Sequence, residues 1–133
     1  MDDAMTALAQ RCLDGAEANT MTFPQIVGAL SEAGFEGYAI DFRRGSATYY
    51  CPDGDSVSLP MRSPGAMISA AFDTPAIQAA IREAQHQVAG YTYNCFCRKV
   101  ARAGCAGYIV SFPGRRALYF GRTAETHTEH FPQ

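Results

Sequence analysis

The 133-residue chain has no tryptophan and little charge: charged residues make up 18% of it, and the formal net charge is −2. It lacks any apolar run near the roughly 20 residues that a membrane-spanning helix needs. Its acidic start, Met1-Asp2-Asp3, differs from the basic start of a secretory signal. We therefore expect a cytoplasmic protein that does not associate with membranes.

Common catalytic and cofactor motifs are also missing from the sequence. It contains no P-loop, no glycine-rich dinucleotide fingerprint, no nucleophile elbow and no His-Glu-x-x-His metal motif. We therefore expect no cofactor and no metal. The sequence pI of about 5.8 argues against nucleic-acid binding.

Five cysteines, an odd number in apolar surroundings, favour reduced thiols over a disulfide framework. Cys97 is expected in the core. Cys95 lies near a predicted helix N-terminus, where the helix dipole favours the thiolate, so a redox or nucleophilic role is an alternative for it.

The hydrophobic fraction of 47% is enough to build a core at this length, so we predict a single domain over residues 1–133. Residues 22–50 align with residues 92–120 without a gap at an offset of 70. Identical pairs include Thr22/Thr92, Ala33/Ala103, Gly34/Gly104, Gly37/Gly107, Tyr38/Tyr108, Phe42/Phe112 and Tyr49/Tyr119. This pattern predicts an internal duplication, with repeat one at about 4–60, a connector at about 61–72 and repeat two at about 73–131.

Each repeat is predicted to contain two helices followed by three strands. Thr22 and Gln25 form a capping box at one helix start, and Gly34 ends that helix. Tyr38, Ile40 and other alternating apolar residues indicate a strand with one buried face. The connector is expected to end in a short apolar helix-like stretch. The predicted fold is α+β, a doubled ααβββ unit with an antiparallel sheet of about six strands and four main helices.

The C-terminal stretch 121–131 is the most polar cluster, and residues 125–131 within it are predicted to be a strand. Glu125, His127 and Glu129 would then share one face, where the imidazole beside two carboxylates suits general acid–base chemistry. His130 would point to the other face, which argues against a metal site. A solvated edge or tail is the default interpretation of this stretch, and a binding or catalytic surface is the alternative.

A second candidate surface carries basic and aromatic side chains from the second half of the chain. Residues 1–70 carry a net charge of −5 and residues 71–133 a net charge of +3. The opposite charges suggest contact between copies of the protein, so a homodimer is one hypothesis, and a solvated face is the other. The residues expected to bind a ligand, in a cleft between the repeats and on the C-terminal polar strand, are Tyr49, Arg115, Arg116, Tyr119, Arg122 and His127, although core packing is the default interpretation of the tyrosines.

Several segments resemble a known family. They are Thr22-Phe23-Pro24-Gln25-Ile26, Ala47-Thr48-Tyr49-Tyr50, Pro52-Asp53-Gly54-Asp55 and Tyr119-Phe120-Gly121-Arg122, with Glu125-Thr126-His127 and Glu129 after them. Together they resemble the bacterial domain-of-unknown-function family 1398, the YbcV-like proteins. The resemblance implies a small α+β bacterial protein with no established activity, some of whose relatives carry phage or prophage envelope labels.

The leading functional prediction is a non-enzymatic domain that binds a small ligand or a protein partner. The first alternative is a small hydrolase or transferase with His127 as general base and Glu125 or Glu129 orienting it. The second alternative is a structural component related to phage, which would require large-scale self-assembly.

Overall fold

Two helices and then three strands occur twice along the chain in the computed structural model, which describes residues 1–132. The first half contains α1 (Asp3–Glu17), α2 (Phe23–Glu32), β1 (Gly37–Asp41), β2 (Ser46–Tyr50) and β3 (Ser56–Pro60). The second half contains α3 (Thr74–His86), α4 (Tyr93–Arg102), β4 (Cys105–Ser111), β5 (Arg116–Gly121) and β6 (Thr126–His130).

The helix starts follow the predicted capping chemistry. The Thr22 hydroxyl accepts a hydrogen bond from the Gln25 amide, and the Gln25 side chain accepts one from the Thr22 amide at 2.9 Å. Asp73 and Thr92 cap α3 and α4 in the same way, each accepting from a backbone amide three residues on. These bonds satisfy amides that the first helical turn otherwise leaves without partners, and the predicted capping box at Thr22 and Gln25 is confirmed.

Glycines end α2 and α4. Gly34 has φ of +105° and Gly104 has φ of +96°, in the left-handed region that side chains disfavour. The surroundings of the two glycines differ. A Cβ on Gly34 would have Met5 Cε as its nearest neighbour at 3.8 Å, whereas a Cβ on Gly104 would overlap the Ala71 carbonyl.

All six strands form one antiparallel sheet in the order β3-β2-β1-β4-β5-β6. The halves meet at the β1–β4 pair, in which Tyr38 lies opposite Val110 and Ile40 opposite Tyr108. The predicted α+β fold, with about six antiparallel strands and four helices, is confirmed. The edges of the sheet are β3 and β6.

One face of the sheet packs against the helices and forms the core. Alternate strand residues such as Ile40, Tyr49 and Val110 are buried in one cluster with helix residues such as Leu30 and Val100. The residues between them on each strand point away from the helices. No helix covers that second face in residues 1–132, and we call it the open face.

The connector between the halves differs from its prediction in one respect. Residues 61–73 contain no helix, so the expected helix-like stretch before residue 73 is wrong. Instead Phe72 lies against the backbone of Gly104 and beside Gly121, and the Asp73 amide donates to the Ala103 carbonyl at 2.7 Å. These contacts between the connector and the ends of α4 and β5 take the place of helical hydrogen bonds.

Element bounds recur at the offset seen in the sequence. Residues 23–32 and 93–102 are both helices, and residues 56–60 and 126–130 are both strands, 70 positions apart. The duplication as the origin of this recurrence, and the single-domain boundaries, stay predictions.

Candidate functional site

His127 and Glu129 form a close pair on the edge strand β6. They lie on the side of the strand that faces the helices, opposite Tyr119 and Ala117 of β5. His127 Nε2 is 2.7 Å from Glu129 Oε2, and the His127 side chain is 14% exposed. A carboxylate bonded to an imidazole orients the ring, which is the arrangement that the acid–base hypothesis requires.

Glu125 lies outside this pair. It precedes β6 in the turn, where its carboxylate accepts a hydrogen bond from the Thr123 hydroxyl at 2.6 Å. Glu129 is therefore the carboxylate that contacts His127. His130 is exposed and lies opposite Arg116 on the open face. Residues 1–132 hold no group of three or more His, Cys, Asp or Glu side chains arranged to hold a metal ion.

Tyr49 and Tyr119, two of the predicted cleft residues, are core residues. They are 3% and 7% exposed, and burial raises the pKa of both phenols well above its usual range. They belong to a cluster of tyrosines that includes the buried Tyr108 and the partly buried Tyr93, whose hydroxyls lie 2.7 Å apart. Helices cover the face at the junction between the halves, so the accessible members of the predicted set are the arginines.

The three predicted arginines lie at two ends of β5. Arg115 and Arg116 are at its start, and Arg122 follows its end, where it donates to the Ile68 carbonyl at 3.2 Å. Seven residues of extended chain at about 3.3 Å each separate Arg115 from Arg122 by roughly 23 Å. One small ligand therefore cannot contact both ends.

Arg115 stands out because of its backbone. Its φ is +52°, whereas the residue 70 positions earlier in the same kind of turn is Gly45 with φ of +65°. A side chain in this conformation costs about 1–2 kcal/mol. The Arg115 guanidinium lies 5.9 Å from the centre of the Phe131 ring, and Phe131 contacts Phe23 edge-on. The side chain thus supplies a contact that glycine would not.

The open face holds a patch that was not among the predicted sites. Its middle row runs across all six strands as Ser58, Thr48, Ala39, Ile109, Leu118 and Thr128. The half-buried Phe120 lies in the next row, with its ring against the backbone of Gly107. Ile109 is 47% exposed. Along the middle row, large apolar side chains therefore lie on the second half of this face and small or hydroxyl side chains on the first half, whereas the row with Tyr50 places a large, 42% exposed side chain on the first half.

A sequence signal for this patch exists. An antiparallel strand with one wet face alternates apolar and polar residues, whereas a strand covered on both faces is apolar throughout. Residues 108–110 (Tyr-Ile-Val) and 117–120 (Ala-Leu-Tyr-Phe) are unbroken apolar runs. The matching run in β2, Ala-Thr-Tyr-Tyr at 47–50, contains a threonine.

Two cavities lie among the helices. One of about 150 Å³ lies between α3 and α4 and is lined by Glu83, Tyr91, Cys95 and Lys99, with the Lys99 ammonium 2.6 Å from the Glu83 carboxylate. A more open one of about 370 Å³ lies along α1. The acid–base pair is in neither lining. Cys97 is buried as predicted, and burial raises the pKa of its thiol to about 12.

No helix within residues 1–132 has both the length and the apolar character needed to cross a membrane.

Comparison with known proteins identifies the family of the chain. No curated protein matches the chain. A family model described as protein of unknown function (DUF1398) matches residues 11–129. Since that match spans most of the chain, the protein belongs to the DUF1398 family.

Proposed function

We propose that the protein is a non-enzymatic binding domain that contacts another protein through the open face of its sheet. The observation that carries the proposal is the apolar patch formed by the exposed Ile109 and the half-buried Leu118 and Phe120. Tyr50, 42% exposed on the first half, extends the apolar surface. Contiguous apolar patches on a protein surface mark interaction sites more often than single exposed residues do.

The shape of the open face favours a protein over a small molecule. Small ligands bind in concave pockets that bury most of their surface, whereas this face is a sheet surface with no helix over it. Its middle row ends in Ser58 on one edge and Thr128 on the other, so an apolar centre is flanked by hydroxyl groups. An apolar centre with a polar rim is the usual composition of a protein interface.

Basic side chains at one corner of the open face would orient the partner protein on it. Arg116 and His130 are paired across β5 and β6, and both are exposed. Arg116 Nε donates to the Gly114 carbonyl at 3.0 Å, which holds the side chain at this corner. An acidic region of the partner would meet this corner, because rim charges steer association and set its orientation.

Site-specific photo-crosslinking tests this proposal. A photoreactive residue at position 109 should give adducts of discrete mass in cell extract, and excess unlabelled protein should compete them away. The same residue at position 82, an exposed site on α3, is the control and should give no such adduct. Competition should fail with an Ile109→Lys protein. Equal labelling at positions 82 and 109, or adducts that Ile109→Lys protein competes as well as the unaltered chain, would contradict the proposal.

The His127–Glu129 pair supports a second candidate, a small hydrolase or transferase with His127 as general base. A working base must be reachable by its substrate, so in an enzyme His127 should react with diethyl pyrocarbonate as fast as an exposed histidine does. For a binding domain we expect slower modification of His127 than of the exposed His130, since the His127 ring is largely covered. Modification of both at the same rate would favour the enzyme, and peptide mapping by mass spectrometry measures the two rates.

A further inference from the structure

We infer that the partner is a second copy of this chain, stacked open face to open face about a twofold axis parallel to the strands. In this arrangement β1–β3 of one copy cover β4–β6 of the other. The inference rests on the proposed function, because it names the protein that the open face contacts. It is argued from the strand order, the residue rows and the charges of the two halves.

The strand order determines which residues meet. A twofold axis parallel to the strands, placed over the β1–β4 pair, exchanges left and right across the sheet and keeps each row at its own level. Each strand then faces its counterpart at the same distance on the other side of the axis, because the order β3-β2-β1-β4-β5-β6 has three strands on each side. Ile109 of one copy therefore faces Ala39 of the other, and Leu118 faces Thr48.

These opposed residues are complementary in size. Ile109 meets an alanine, Leu118 meets a threonine, and in the next row Phe120 meets Ser46. Large side chains facing small ones allow two sheets to interdigitate at the usual separation of about 10 Å. The same pairing occurs twice in the dimer, since a twofold interface uses the same surface on both copies.

A twofold axis perpendicular to the strands would give a worse fit. It would leave every strand facing itself, so that Ile109 would meet Ile109 and Leu118 would meet Leu118. The small residues Ala39 and Thr48 would meet their own copies as well. Along the middle row the second half would then be overfilled while the first half would contain a gap, and both overpacking and voids destabilise an interface.

Charge also favours contact between unlike halves. Residues 1–70 hold four Arg and nine Asp or Glu, a net charge of −5, whereas residues 71–133 have a net charge of +3. The start of β5 and the β2–β3 turn, which contains Asp53, lie at the same end of the strands. The axis parallel to the strands therefore brings Asp53 of one copy near Arg116 and His130 of the other. Contact between like halves would instead place net charges of one sign together, which costs free energy.

The open face is large enough for such a dimer. Six strands about 4.8 Å apart and five residues long at about 3.3 Å each give a footprint of roughly 29 by 17 Å, or about 480 Å² per copy. Two copies together approach the ~1,000 Å² that separates specific interfaces from incidental contacts, before the roughness of the side chains is counted. A reversible dimer is the expected outcome.

Sedimentation equilibrium of the purified chain tests the association. The unaltered protein should show a concentration-dependent monomer–dimer equilibrium, and Ile109→Lys should weaken it at least tenfold. Val88→Lys is the matched control, because Val88 is an apolar residue with 42% exposure that lies off the open face. Ile109→Thr, which keeps the β-branched side chain that suits a strand, should also weaken the dimer and guards against a folding defect from lysine.

The axis is tested by a distance between spin labels at position 58, in a chain carrying Ser58→Cys and Cys95→Ser. Cys95 is replaced because it is partly exposed, whereas the other four cysteines are buried. With the axis parallel to the strands, five strand spacings separate the two labels, about 24 Å sideways and about 26 Å in all. With the perpendicular axis the labels face each other at about 10 Å and broaden the continuous-wave spectrum.

The outcomes separate this inference from the proposed function. A dimer that weakens with Ile109→Lys but not Val88→Lys, together with the longer label distance, supports the inference. A monomer at all concentrations overturns it, and so does a dimer insensitive to Ile109→Lys or one with labels at about 10 Å. If crosslinking from position 109 then captures a different protein in a competable way, the proposed function still holds. If it captures nothing, both fail.

Discussion

The contrast between the two helix-ending glycines gives a sharp test of how the halves are joined. We predict that Gly104→Ala destabilises the protein far more than Gly34→Ala does. Both residues have a positive φ and both end a helix, so the conformational cost of a side chain is shared. The two substitutions therefore differ in what the new methyl group meets.

The magnitudes follow from the surroundings. A left-handed conformation costs a side chain about 1–2 kcal/mol, and alanine recovers about 0.4–1 kcal/mol by restricting the unfolded chain, so Gly34→Ala should cost about 1 kcal/mol. At Gly104 the methyl group overlaps the Ala71 carbonyl, so the connector must move. Overpacking adds about 1–3 kcal/mol, and loss of the 2.7 Å bond from Asp73 to Ala103 adds about 1 kcal/mol. The total is about 3–5 kcal/mol.

Urea denaturation followed by circular dichroism measures both free energies of unfolding. With a denaturant dependence of about 1–3 kcal/mol per molar urea, Gly104→Ala should lower the midpoint by about 1–5 M and Gly34→Ala by about 0.3–1 M, a three- to fivefold difference at any one value of that dependence. Equal shifts in the two variants would refute the reasoning. They would mean that the connector does not pack on α4 as the contacts of Phe72 with Gly104 and Gly121 indicate.

Three further predictions concern tyrosine and cysteine side chains. Tyr93→Phe should cost about 1–3 kcal/mol in urea denaturation because it leaves the Tyr108 hydroxyl without its 2.7 Å partner, and adding Tyr108→Phe should cost less than the two single changes together. With Ellman's reagent at pH 8, Cys95 should react first, and Cys95→Ser should remove the fast phase, whereas the four buried thiols should react only on unfolding. The free energy of unfolding should fall as the pH rises above about 9. Burial raises the pKa of Cys105 to about 11 and that of Tyr91 to about 12, so the unfolded chain releases these protons at lower pH than the folded chain does. Urea titrations at pH 8 and 10.5 measure the loss, and equal stability at both would contradict it.

Local rules were sufficient to predict the helices and strands from the sequence. A capping residue, a helix-ending glycine and alternating apolar residues act within a few positions of the chain, and each was visible in the sequence. Thr22, Gly34 and the alternation around Tyr38 each indicated the element that the structure contains. The helix-like stretch predicted in the connector was wrong because its apolar residues are spaced like the buried face of a helix. Phe72 instead packs against the backbone of residues that are distant in sequence.

The candidate site was harder to predict because it depends on which strands become neighbours. The sequence shows that Tyr49 and Tyr119 occupy matched positions, but their burial follows from four helices covering one face. The pairing of His127 with Glu129 follows from strand alternation and was within reach of the sequence. The middle row of the open face was not, since the β1–β4 pairing that places Ala39 beside Ile109 joins residues 70 apart.

The differences in sequence between the two halves support the proposed contact. On the covered face the matched core residues are conserved in kind, because both halves must pack against helices: Tyr38 matches Tyr108. On the edge strands the first half has Val57 where the second has His127, so β6 has a polar pair on its covered side where β3 has apolar residues. The open face changes in the opposite sense, with Thr48 matched by Leu118. Folding of one sheet gains little from apolar residues on a face that helices leave uncovered, so the larger apolar residues of the second half, Ile109 in place of Ala39 and Leu118 in place of Thr48, are better explained by a surface that this half must meet.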